Sequence, residues 1–409
     1  MVSDKLSYMC LYVLKHIRSM YENICSYSRR TLELRKNINT LILFSILIAD
    51  LLSRTDLTVD RSIYNTINFV LCICFVLLNP AFNKVLSGIF LISITLILLS
   101  MLFNASQLHS GSINAFMFTS VSWVMLSLNR PVLNYSLMRV LIYNYLIIGI
   151  GLSIYYLLSD YDFNNLVQNK NFNINPNGAS IYFLGSIMLT FVVTNGWKMW
   201  MILSSYVLLI LTTGSRAGMV SMSLMLIIFA IYDHKLNIIP RHTAFKNIFR
   251  RVFYFTGLLF SLYLLMPSCF EFAFRRLIQK GVSISDSEFG RMEKWGYALN
   301  ESTTSLQVFL FGKGPAMASD SMGGGLHSSY VEAFASFGWP YLFIIILGVL
   351  VVFRQNYLLT KSLVFILIGG VILLHGSVET ILFRGVSSLW AIFIFISFYY
   401  QGLRGKSIR

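Results

Sequence analysis

The chain has 409 residues, of which 56% are apolar and 12% charged, and its mean hydropathy is +0.68. Soluble domains carry about 25% charged residues. This composition, gathered into long apolar runs, excludes a soluble enzyme, a disordered chain and a secreted disulfide scaffold, and it fits an all-α polytopic membrane protein.

The first segment, residues 1–37, holds seven Lys or Arg residues. Its apolar stretch Tyr8–Leu14 is short and no small-residue cleavage site follows, so it does not read as a signal peptide. It reads as a basic amphipathic helix on the anionic inner leaflet. A bilayer needs about 20 helical residues per crossing. Runs near 38–53, 63–79, 86–103, 113–128, 140–158, 178–194, 199–212, 219–232, 252–267, 340–353, 362–375 and 386–400 give about 12 candidate transmembrane helices. The runs are continuous rather than alternating, which argues against a β-barrel. Cys72 and Cys74 lie inside the second run and read as buried small hydrophobes. The five cysteines show no CxxC or Cys/His spacing, so neither a disulfide nor a zinc site is expected. No internal repeat is evident, which weakens a transporter built from inverted halves.

Between the seventh and eighth runs stands Thr212-Thr-Gly-Ser-Arg-Ala-Gly218. An Arg at the centre of a span costs about 2.5–3.5 kcal/mol, so Arg216 needs an anionic partner. Asp50 or Glu379 could supply it as an ion pair. A phosphate could too, since guanidinium matches its oxygens, and Gly214 and Gly218 would let backbone approach such a group. No GxxxxGK[ST] P-loop exists.

The one long connection is 267–339, with six basic and seven acidic residues. A loop of that length in a compact protein is functional or disordered, and this one has helical signals. Ser285-x-x-Glu288 reads as a capping box opening a helix over 288–299, with Glu288, Arg291 and Trp295 on one face. A turn with Gly312 and Gly314 follows. Gly323–Gly325 leads to His327, after which Tyr330, Val331, Phe334 and Phe337 recur at helical spacing until Gly338. His327 is therefore expected at or near a helix N-terminus, where neutral imidazole is favoured. That state suits a base, and equally a capping or packing role. Asp286, Glu288 and Glu293 do not read as a glycosidase pair, which needs carboxyls about 5–5.5 Å apart from opposing sides. Capping and pairing with Arg291 or Lys294 explain them.

Charge sets the expected orientation. With the N-terminus in the cytoplasm and alternating sides, 21 of the 32 Lys and Arg residues fall inside, and 13 of the 17 Asp and Glu fall outside. This is the positive-inside asymmetry, with both ends cytoplasmic and the long loop outside. The net charge of +15 is thus mostly topology, and no nucleic-acid partner is expected.

Three elements in order resemble the O-antigen polymerase and O-antigen ligase superfamily of bacterial envelope glycosyltransferases. They are Thr213-Gly-Ser-Arg-Ala-Gly218; Gly290-Arg291 with Trp295, then Phe311-Gly-Lys-Gly-Pro315; and His327-Ser328, nine residues, Gly338, two residues, Tyr341. The last is similar to the signature H-[NSQ]-x9-G-x-x-[GTY], with Ser328 where Asn is common. Asn175-Pro-Asn177 before a span resembles the polymerase branch. The likeness covers roughly residues 175–341.

The resemblance implies a GT-C-like fold in the bacterial inner membrane. It implies undecaprenyl-pyrophosphate-linked oligosaccharides as donor and acceptor, chemistry at the periplasmic face, and no cofactor, nucleotide sugar or metal. Arg216 and Arg291 would bind the pyrophosphate with help from Arg275 or Arg276, and His327 would be the general base. Membrane lipids and a chain-length regulator are the implied partners. Polymerase is favoured; a ligase that transfers the glycan to lipid A–core uses the same donor. A lipid-linked oligosaccharide flippase is the more distant alternative. It would spread its charges along a central cavity, whereas here the outer charge is concentrated in one loop.

Overall fold

A computed structural model describes residues 29–52, 61–79, 82–104, 133–159, 176–193, 196–232, 286–314, 328–360 and 362–378. It also describes single residues at 125, 128, between 249 and 274, and between 393 and 399. The described residues are overwhelmingly helical. They contain no strand, and the one isolated bridge among them joins Phe82 and Leu128.

Nine helices coincide with expected spans: α1 Arg29–Leu52, α2 Arg61–Leu78, α3 Lys84–Phe103, α4 Tyr135–Ser159, α5 Pro176–Val193, α6 Gly196–Thr213, α7 Arg216–Ile231, α11 Trp339–Thr360 and α12 Val364–Val378. Three more, α8 Asp286–Glu301, α9 Leu306–Phe311 and α10 Ser329–Phe337, lie in the long connection. The expected spans 113–128 and 386–400 fall largely outside the described residues, and 252–267 is described in part. Among the described residues, three helices are long and apolar enough to cross a membrane by length and composition: α3, α4 over Tyr135–Ser153, and α11 over Trp339–Leu358.

Several expectations need correcting. Residues 29–37 belong to the same helix as the first span, so the basic segment is not a separate helix to its end. Cys72 is buried, but Cys74 is exposed, on an outward apolar face of α2. Every described residue from Phe253 to Phe274 is helical, including Phe270, Glu271 and Phe274 beyond residue 267, where the long loop was expected to open. The helix expected over 288–299 is longer at both ends.

Polar contacts identify the two ends of the bundle. At one end Asn39 Nδ2 donates to Asn79 Oδ1 (3.1 Å), the Asn134 amide N–H to Thr40 Oγ1 (2.9 Å) and Asn134 Nδ2 to Asn37 Oδ1 (2.7 Å). Arg35 donates to the Leu78 carbonyl there, and Asn83 caps α3, accepting from Val85 and Leu86 N–H. Asn side chains satisfy helix-terminal groups that apolar residues leave bare. The 20 residues of α3 then rise about 30 Å, carrying the chain to the opposite end. There Ser100 Oγ donates to the Ser336 carbonyl (2.9 Å), and Phe103 stacks on Phe311 with ring centroids 4.4 Å apart. The long connection therefore docks at the far end from the asparagine cluster. The same end receives the start of α11 and the end of α12.

Candidate functional site

The turn between α6 and α7 carries Arg216. Gly214 takes φ +61°, a conformation that other residues adopt rarely. Thr213 Oγ1 accepts from the Ser215 amide (3.2 Å), and Ser215 caps α7 by accepting from the Gly218 amide (3.2 Å). Arg216 is thus the first residue of α7 and is half-buried. A helix start and a guanidinium together present donors and positive charge to an anion.

Gly218 has another role than expected. A Cβ there would lie 2.6 Å from Ser180 Cβ, so helix α5 fills the space expected for a bound group. Ser180 Oγ donates to Ser215 Oγ at 3.1 Å. Ser180 lies one turn into α5, which opens at Pro176, a favoured residue for a first turn. Pro176 and Asn177 of the Asn175-Pro-Asn177 motif, at the start of α5, thereby lie at the same end as the Arg216 turn; Asn175 lies outside the described residues.

The other two sequence elements interlock. The last carbonyls of a helix have no partner within it. In α10 the Phe334 carbonyl accepts from the Gly338 amide (2.9 Å), the Ala335 carbonyl from the Lys313 amide (2.8 Å), and the Ser336 carbonyl from the Gly314 amide (3.0 Å) and from Ser100. The Phe311-Gly-Lys-Gly314 turn is therefore the cap of α10. Lys313 also pairs with Glu301 at the end of α8. The Lys313 ammonium, donating to Glu301, holds its carboxyl below the usual range.

At its start, α10 is capped by Ser328, which accepts from the Val331 amide (3.4 Å). Asn and Ser are both good caps, which explains why Ser can stand where Asn is common. His327 immediately precedes the cap in sequence. It lies outside the described residues, as does Arg276; Arg291 sits within α8 with only its backbone described. Asp50 and Glu379, considered as partners for Arg216, are likewise without described side chains.

One turn of α12 joins the two halves. Tyr330 Oη of α10 donates to the Leu373 carbonyl (2.9 Å), and Ser221 Oγ of α7 lies 2.9 Å from Nδ1 of the buried His375. Burial pushes the Tyr330 phenol up to about 12, so it stays a donor. Leu373 and His375 are two residues apart. The helix that starts at Arg216 and the helix that follows His327 are thus tied to the same place. Sequence reasoning missed His375, and it counted Glu332 in the loop without foreseeing its burial in the first turn of α10. An ionisable side chain within an apolar run was the available signal for His375.

Compared with known protein families, curated proteins and solved structures, the chain matches none.

Proposed function

We propose that the chain is an O-antigen polymerase. It would be a metal-independent inverting glycosyltransferase of about twelve spans, acting at the periplasmic face of the bacterial inner membrane. The observation that carries this reading is convergence. The starts of α5 and α7, the Phe311–Gly314 turn and the Ser328 cap all lie at one end of the bundle, the end where charge asymmetry puts the outside.

The chemistry follows from the donor. Its anomeric carbon is activated by a pyrophosphate leaving group. Arg216 and Arg291, with Arg276, hold the charge that develops on that group, as preorganised cations do for a transition state. His327 takes the proton of the attacking hydroxyl. The oxygen attacks from the face opposite the leaving group, the C–O bond to undecaprenyl pyrophosphate breaks, and the anomeric centre inverts. The product is a lipid-linked chain one unit longer, with undecaprenyl pyrophosphate released.

Reconstitution tests the reaction. The purified protein in vesicles is given undecaprenyl-pyrophosphate-linked repeat units. Lengthened lipid-linked chains and released undecaprenyl pyrophosphate are expected. Transfer only when lipid A–core is added would assign a ligase, and translocation without new linkage would assign a flippase.

A further inference from the structure

Helix α9 is short and apolar, and none of its six residues is buried. Leu306, at 73% exposure, is among the most exposed large hydrophobic residues described. Phe309, one turn on, shares its face and stacks on Trp339 with centroids 6.4 Å apart. Trp339 opens α11 and meets Phe343, 61% exposed, at 6.1 Å. Phe343, Ile346, Leu347 and Leu350 then recur at i, i+3, i+4 and i+7 and are all exposed, which makes one outward apolar stripe down a helix long enough to span a bilayer. The loop helix is thus the upper end of an apolar strip that continues down α11. Trp339 donates its indole N–H to Oγ of the buried Ser302 (3.0 Å) at the top of that strip, so its polar atom is paired while its ring meets apolar side chains, as suits a tryptophan near a membrane interface. Ser305, which caps α9, and Gln307 within it are exposed and polar, so the helix has a side for water as well.

We propose that α9 is an interfacial foot, with Leu306 and Phe309 seated in the outer leaflet beside Trp339. The partner is a lipid surface, and continuity with the lipid-facing stripe of α11 selects it over a second protein. The consequence concerns the site. Lys313 and the glycine turn follow α9 directly, and Phe311 is stacked on Phe103 of α3. The foot would hold that turn at the depth of the lipid headgroup phosphates. The inference rests on the bilayer-crossing reading of α11 and not on the reaction proposed above.

The test uses the full chain with its five native cysteines replaced by serine or alanine. Single cysteines at Leu306, Leu350 and Asn300 carry an environment-sensitive fluorophore. Each protein is placed in phosphatidylcholine–phosphatidylglycerol vesicles containing lipids with a nitroxide high on the acyl chain. Leu350 is the membrane control, and exposed Asn300 on α8 is the water control. The Leu306 label is expected to be quenched at least about twofold more than the Asn300 label, with blue-shifted emission, as for side chains at the headgroup–acyl boundary. Quenching at Leu350 with none at Leu306 beyond the Asn300 level would overturn the foot and leave the spanning reading intact. No quenching at either position would overturn both.

Discussion

The backbone just before Gly338 fills the side-chain space of Gly312, and the backbone just before Gly312 fills that of Gly338. A Cβ on Gly312 would lie 2.4 Å from the carbonyl carbon of Ser336, and a Cβ on Gly338 would lie 2.3 Å from the carbonyl oxygen of Leu310. Both residues take a mirror-extended backbone, at φ 66°, ψ −169° and φ 88°, ψ 167°, a region essentially confined to glycine. The two elements that carry the family resemblance in the long loop are therefore halves of one contact. Alanine at either position should destabilise the loop by about 2–4 kcal/mol, the sum of backbone strain and overpacking. Thermal unfolding of each variant in detergent checks this. An unchanged midpoint for Gly338→Ala would contradict the contact.

The same close approach joins α5 to α7. Gly218→Ala is expected to lower activity and stability, because its methyl meets Ser180. Adding Ser180→Gly should restore much of the loss, since it removes both atoms in the way. Polymer length in cells carrying the single and double variants measures this. A double variant no better than Gly218→Ala would return Gly218 to the role of approaching a bound group.

Ser221 and His375 form a buried polar contact between α7 and α12. His375→Leu leaves the Ser221 hydroxyl facing apolar neighbours, at a cost of about 1–3 kcal/mol. Combining it with Ser221→Ala should recover part of that cost, because both polar partners are then gone. A double-variant cycle on the unfolding midpoint reports the coupling.

The pairing of Lys313 with Glu301 gives the loop an acid limit. The Glu301 carboxyl is held below its ordinary value, about 4.3 for a free Glu. Its contribution to stability is complete above that value and disappears as pH falls through the lower folded value. Both side chains are partly exposed, so screening keeps the effect small. Wild type should lose more thermal stability than Glu301→Gln as pH drops from about 5 to 3. Parallel acid profiles for the two proteins would contradict the tie.

What could be read from the chain alone follows its local physics. Apolar runs gave nine of the observed helices because a run of bilayer length has few other solutions. The end of α10 at Gly338 and its start near His327 were readable from spacing and a glycine stop. The packing of Gly312 on the Ser336–Phe337 backbone, and of Gly338 on the Leu310–Phe311 backbone, was not, because it joins separate elements through backbone contact. Nor was the use of Gly218, whose neighbour Ser180 is 38 residues away in sequence. The partner of His375, Ser221, is 154 residues away, and Cys74 was misplaced because the exposed face of α2 is as apolar as its buried one.

The most direct test of the central claim is lipopolysaccharide banding on a gel. A deletion strain is complemented with wild type, Arg216→Ala, Arg291→Ala or His327→Ala at matched expression. Core carrying a single repeat unit is expected in the deletion, a full ladder with wild type, and no ladder with any of the three variants. Bare core in the deletion would contradict polymerase in favour of ligase. An unchanged ladder in the deletion, or a full ladder from the variants, would contradict the assignment of this reaction to these residues.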